Sequence, residues 1–359
     1  MGSLLYREDV ETAFDRLSDW WAGEDIGRPA MLLTAKREKP VENIPIMATP
    51  DGWETHYPTL DFEYRVNLAQ RGCIHTHYLA EAVPEMSPDL GPNCLALYLG
   101  CRGVERPGTV WFESCIDRPE EACFTLDPED FYWDFTLRLA KEQLRVGDGK
   151  FLTSFPDLIE GLDTLAAMRG TQNLLVDLVE RPEWVHRSLK CITDRYFECY
   201  DTLYNLIKGD RGGSHFWAWA PGRVSKLQCD FSAMISPEMF GEFMVPVLKS
   251  MTERLDHTMF HWDGPGAVPH HDHLLSIPGI STIQWTPGAG AEPVADRQWW
   301  PLYHKTFEAG KNVALLGVAG LNELKALKQE FGGKFKRFLI RMRAKDLLHA
   351  HEVLDLVAE

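Results

Sequence analysis

The chain has 359 residues, 45% hydrophobic and 25% charged, a globular composition with room for one large α/β domain or two ordinary ones. Its formal charge of −16 argues against nucleic acid or an anionic membrane as the main partner, since both demand a basic footprint. Eight cysteines without CxxC pairs suit reduced thiols in a cytoplasmic protein better than a disulfide framework. No apolar run approaches the ~20 residues of a membrane helix. The start MGSLLYREDVETAF is charged and amphipathic too early for a signal peptide.

PAMLLTAK (29–36) reads as a first strand, and the Pro-rich stretch from Glu38 to Tyr57 as a long loop over one mouth of the fold. NCLALYLG (93–100) reads as a second strand. The helix DPEDFYWDFTLRLAKEQLRVG opens with an acidic first turn and closes near Gly147. FLTSFPD follows as a short strand ending at Asp157, and two stretches with helical apolar spacing run from there to Gly209.

SHFWAWAPG reads as a strand with Trp217 and Trp219 on one face. VSKLQCD places Gln228, Cys229 and Asp230 in a loop before a helix that starts Ser236-Pro237-Glu238. HTMFHWDG is the next strand, and GAVPHHDHLLSI a short helix on which His270, His271 and His273 read as helix-start and surface residues, with at most one of them reaching the site. ISTIQW, NVALLGVAG and RFLIRMR complete the strands, each followed by a helix or helical turn. The basic run KFKRFLIRMRAK reads as a solvated edge, with docking of an acidic partner as the alternative.

This alternation predicts a (β/α)8 TIM barrel with an N-terminal extension and long loops over the mouth. No GxGxxG follows a strand, so a dinucleotide fold is disfavoured. In such barrels the reactive groups lie at the strand C-termini. His261 and Asp263 are the most specific signal there, because two residues apart on a strand they leave on one face. They can hold a divalent metal, zinc or similar, through N and O atoms, act as an acid/base pair, or simply cap the strand end. Asp230 and Glu292 are further candidate catalytic carboxylates. Asp157, Trp217, Trp219, Gln284 and Trp285 are candidate substrate contacts, and Cys229 is a weak candidate metal ligand. Twelve tryptophans fit either a core with rim aromatics or an aromatic-walled pocket.

The runs SFPDLIEGLDTLAAMRG, QCDFSAMISPEMFGEFMVP and HWDGPGAVPHHDHLLSIPGISTIQW resemble the uroporphyrinogen decarboxylase superfamily, nearest its branch beside the cobalamin-dependent methyltransferases. The likeness spans roughly residues 90 to 340, leaving 1–90 as a more variable part of one domain over 1–359. It implies a barrel, methyl transfer to or from a corrinoid on a partner protein, and a homodimer. The arginine-rich N-terminal segment of true decarboxylases is absent between Met31 and the ATPDGWETHYPTLD run. The thiol methyltransferases of this superfamily hold zinc through His-x-Cys and a later cysteine. Here Asp263 stands in the first cysteine position and Ala344 near the second. A thiolate-rich site is thereby excluded, leaving a harder N/O metal site or none.

Three functions follow. The leading one is a methyltransferase or demethylase acting on a small molecule through His261 and Asp263. The others are a carbohydrate-active enzyme using paired carboxylates and stacking tryptophans, and a non-catalytic ligand-binding barrel.

Overall fold

The computed structural model describes residues 3–50, 61–106 and 109–358. Thirteen strands occur among them: β1 (Ala30–Lys36), β2 (Thr76–Ala80), β3 (Glu85–Met86), β4 (Arg102–Arg106), β5 (Thr109–Glu113), β6 (Leu152–Thr153), β7 (Ser214–Phe216), β8 (Ala218–Ala220), β9 (Val224–Gln228), β10 (His257–Asp263), β11 (Thr282–Thr286), β12 (Asn312–Leu316) and β13 (Phe338–Ala344). The main sheet has the order β2-β1-β13-β12-β11-β10-β9 and is parallel throughout, apart from the antiparallel edge strand β2. The chain is therefore an α/β protein with a parallel sheet.

Helices separate the parallel strands: Pro237–Thr252 before β10 (with a π-turn at its centre), Pro265–Ser276 before β11, Trp300–Glu308 before β12 and Leu321–Phe331 before β13. Leu347–Ala358 follows β13. Covering helices explain why β13 alternates buried Ile340, Met342 and Ala344 with exposed Arg341 and Arg343. β3 and β6 form a separate parallel pair. Single backbone bonds join this pair's surroundings to the other sheets: Glu81 N donates to Met31 O of β1 at 2.9 Å, and Phe155 N to His215 O of β7 at 3.0 Å. A continuous ladder around a closed barrel does not occur among the described residues.

Two expected strands are corrected. NCLALYLG is a helix, Cys94–Tyr98, whose cap Asn93 accepts Ala96 N at 3.2 Å. A short run buried on every side carries no periodicity to separate strand from helix. SHFWAWAPG folds back on itself as the antiparallel pair β7–β8, bent at Trp217 with φ +65°. The parallel strand is instead VSKLQ, every residue of which is buried. The basic run at the C-terminal end is corrected too. Its strand lies inside the sheet, and Arg337 donates to Asn312, Phe307 O and Lys311 O.

The loop expected over 38–57 has no helix or strand in its described part, and residues 51–57 lie outside the described set. Val41 and Ile44 pack with Tyr6, Cys73, Ile74 and Phe151. No helix of the described residues is long and apolar enough to cross a membrane. All eight cysteines are free.

The N-terminal helix Val10–Trp21 is tied to the sheet by a buried charge network. Glu81, with no exposed surface, takes both arms of Arg28 (2.8 and 2.9 Å), Arg16 Nε (2.7 Å) and the β1 amide of Met31 (2.7 Å). Removing one partner of such a cluster strands the others away from water. Glu81→Ala is expected to destabilise the protein by ~3–5 kcal/mol in urea unfolding. A loss below ~1 kcal/mol would assign the anchoring to apolar contacts instead.

Candidate functional site

Parallel pairing sets the site. Gln228, His261 and Gln284 are direct register partners across β9, β10 and β11, so their side chains project in one row on one face. Two residues further on, Asp263 emerges on the same face. Asp230 opens a 3-10 turn immediately after β9. One ligand-type atom from each of Asp230, His261 and Asp263 can be chosen so that all lie within 4.8 Å of one another. The chain then leaves the site sharply. Gly264 takes φ +77°, which only glycine adopts without strain, and its N–H donates to Thr286 O at 2.9 Å.

The orientation of His261 is fixed from behind. Gln284 Nε2 donates to Trp285 O (2.7 Å) and Thr286 Oγ1 (2.9 Å), which turns its Oε1 toward His261 Nδ1. That oxygen can only accept, so Nδ1 carries the proton and Nε2 presents a lone pair. Nε2 lies 4.0 Å from Asp263 Oδ2. Burial, then the neighbouring Lys226 ammonium, depresses the His261 pKa and keeps the ring neutral. Trp217 stands edge-on to the imidazole, ring centres 5.1 Å apart.

Beneath this trio lies a second polar layer. Lys226, with no exposed surface, ion-pairs Asp157 at 2.6 Å and also donates to Gln228 Oε1. Its Nζ sits 5.1 Å from the Trp217 ring centre. Gln228 Nε2 lies 3.2 Å from both Asp163 Oδ2 and Asp230 Oδ2, and Asp163 accepts the amides of Asp230 and Phe231, each at 2.8 Å. Burial, then the charges of Asp163 and Asp263, pushes Asp230 up to about 7. Asp230 keeps solvent contact although protein surrounds most of it.

The sequence-predicted residues sort cleanly. His261, Asp263 and Asp230 meet. Gln284 orients His261, Asp157 pairs Lys226 one layer below, and Trp217 lines the centre. The other expectations need correcting. Trp285 is 1% exposed, wedged between Trp262 and Trp299 at 4.8 and 5.0 Å, and is core rather than wall. Trp219 packs on Phe14 of the N-terminal helix at 4.3 Å. Buried Cys229 has its thiol pushed well up by burial and stays outside the trio. Glu292 is exposed on the 287–293 loop, along a cleft of about 450 Å³ that reaches Asp263, and does not join the trio either.

His270 and His271 are not surface residues. Their Nε2 atoms bond Ser232 O (2.8 Å) and Thr306 Oγ1 (3.0 Å) deep in the fold. Lys226 escaped the sequence reading because its segment was not read as a strand, and Glu160 and Asp163 because they sat in a stretch read only for its helical apolar spacing. The available signal was Lys226-x-Gln228-x-Asp230, a polar period of two leading into a turn.

No family profile matches the chain, and no curated protein matches it. A solved structure described as a methyltransferase from Methanosarcina mazei is similar to it, with a TM-score of 0.61 and 12% identity. The likeness covers 97% of this chain and 96% of that one. At that identity it establishes shared architecture along essentially the whole length.

Glu160 gives a test of the polar layer. It is fully buried, accepts Gln228 N at 2.9 Å, and burial pushes it up to about 8. The unfolded carboxyl loses its proton near the ordinary value of 4.5 while the folded one keeps it, so stability falls as pH rises from 4.5 to about 8 and then levels. Glu160→Gln should make that descending limb shallower in denaturation curves taken across this range, leaving the part that the raised Asp230 contributes below about pH 7. An unchanged limb would mean that Glu160 ionises normally.

Proposed function

We propose that the chain is a methyltransferase-type enzyme on a (β/α)8 barrel, acting on a small molecule at a divalent-metal site formed by Asp230, His261 and Asp263. What supports the reading is the three-residue cluster itself, at the strand ends where enzymes with this architecture react, with an imidazole already oriented by Gln284. Two further observations fit a cation. Asp263 Oδ1 is buried without a hydrogen-bond partner, and the His261 lone pair faces the carboxylates. The donor set is one nitrogen with carboxylate oxygens, which suits zinc or a harder divalent ion.

Three protein ligands leave a coordination position open. Such an ion supplies Lewis acidity and lowers the pKa of a bound hydroxyl, thiol or water. Around it, Gln284 holds the His261 tautomer, and Lys226 offsets the charge that three acids would otherwise accumulate. Trp217 limits water on one side. A methyl group moving to or from a corrinoid requires a partner protein to dock at the open mouth, as the sequence resemblance implies.

One observation favours a second reading. Asp230 and Asp263 lie close together, and Asp230 is held protonated toward neutral pH. That is the arrangement of a general acid beside a carboxylate, which glycoside cleavage uses at carboxyl separations of ~5–5.5 Å. It needs no metal.

Metal analysis separates the two. The wild-type protein is expected to bind one equivalent of zinc or cobalt, and His261→Ala and Asp263→Asn to abolish it. Gln284→Leu should weaken affinity roughly 10–100-fold, because it removes the group that orients the ligand. Cobalt absorption spectra read all three variants. Stoichiometric binding undiminished in Asp263→Asn would sink the site as drawn, and activity on glycosides in the presence of chelator would favour the second reading.

A further inference from the structure

The mouth is electrically two-sided. Its acids, Asp157, Asp230 and Asp263, stand at the ends of β6, β9 and β10. Opposite them, β13 presents Arg341 and Arg343, which are exposed while their neighbours Ile340, Met342 and Ala344 are buried. Alternation along a strand puts both arginines on the face away from the covering helix Leu347–Ala358. Arg341 is closely placed. It is paired in register with Leu32 of β1 and Leu316 of β12, and its Nη2 donates to Trp217 O at 2.6 Å. Protein surrounds the guanidinium enough to lower its pKa by burial, yet the side chain keeps its exposed surface. It is thus closely surrounded by protein and still open to solvent.

A guanidinium in that position has work left to do. It carries five N–H donors, and the bond to Trp217 O uses one. Glu85, whose charge it feels, is 2.5 Å from Ser154 Oγ in a hydrogen bond of its own. Trp217 is the second half of the device. It holds φ +65°, a conformation costly for a bulky side chain, and residues kept in such conformations cluster at ligand sites. The Arg341 bond pins that backbone from one side, while the Trp217 ring reaches His261 on the other.

We propose that Arg341 is the anchor for an anionic group on the substrate, a carboxylate or related oxyanion, which seats the reacting end beside Trp217 at the Asp230–His261–Asp263 trio. The assignment rests on the trio as the reacting centre and adds the substrate class. The anion meets a planar, partly desolvated guanidinium, where charge-assisted bonds are strongest.

Binding of benzoate, inorganic phosphate and neutral benzamide to the full chain, measured by calorimetry and by the Arg341 Nε resonance, tests this. Benzoate is expected to bind the wild type and shift that resonance, and benzamide to do neither. Arg341→Gln should weaken benzoate by roughly tenfold or more, and Arg341→Lys by less. Phosphate binding with the same dependence on Arg341 also supports the anchor and moves the class to phosphate esters.

Benzoate binding equally to wild type and Arg341→Gln, benzamide matching benzoate, or no anion binding at all would overturn it. Should Arg341→Gln not fold, an unmoved Nε resonance in the wild type gives the same refutation. Zinc titration of the same samples keeps the two proposals apart. Zinc failing to bind while Arg341-dependent benzoate binding persists refutes only the metal site. Zinc bound with benzoate indifferent to Arg341 refutes only the anchor.

Discussion

Everything at the mouth depends on the register between three parallel strands. Gln228, His261 and Gln284 meet as direct partners, and because side chains alternate along a strand, that single alignment places an amide, an imidazole and a second amide in one row. A slip of one residue would send His261 into the helical layer and bring Phe260 or Trp262 inward. Both of those are about 2% exposed and well packed where they are. The apolar face thus enforces the polar one. Burying Phe260, Trp262 and Ile283 against the covering helices leaves the intervening residues nowhere to point but into the site.

Holding that many charges inside a sheet is costly unless they are matched. The pairing of Lys226 with Asp157, the amides donated to Asp163 and the proton retained by Glu160 are the ways the interior meets that demand. The same matching tunes chemistry. Burial and then Lys226 keep His261 neutral, while burial and then crowded acids raise Asp230. A preorganised polar network of this kind loses little to reorganisation when a ligand or cation arrives.

How far the sequence revealed this differs by element. His261 and Asp263 were legible because a two-residue spacing before Gly-Pro-Gly survives any uncertainty about strand ends. The helix capped by Ser236 was equally legible, since caps are local chemistry, whereas the acids read as a first turn in DPED precede the next helix, which Asp130 caps. Lys226 was not. A lysine inside a fully buried strand violates ordinary patterning, and its compensating partner Asp157 lies 69 positions upstream, reachable only by folding. The tryptophans misled for a related reason. Composition says that large rings exist, but whether Trp217 or Trp285 faces the cavity turns on a backbone bend at one and on packing between Trp262 and Trp299 at the other.

The bend at Trp217 links these observations. The parallel neighbour of β10 is VSKLQ rather than SHFWAWA, which is how Gln228 comes to stand beside His261. By folding back as β7–β8, the chain places the Trp217 ring edge-on to the imidazole and its carbonyl against Arg341. The strained residue is thus where the acidic and basic sides of the mouth come into contact through one side chain and one backbone group. One backbone bend thereby sets together the position of the Trp217 ring beside His261 and of Arg341 beside the Trp217 carbonyl.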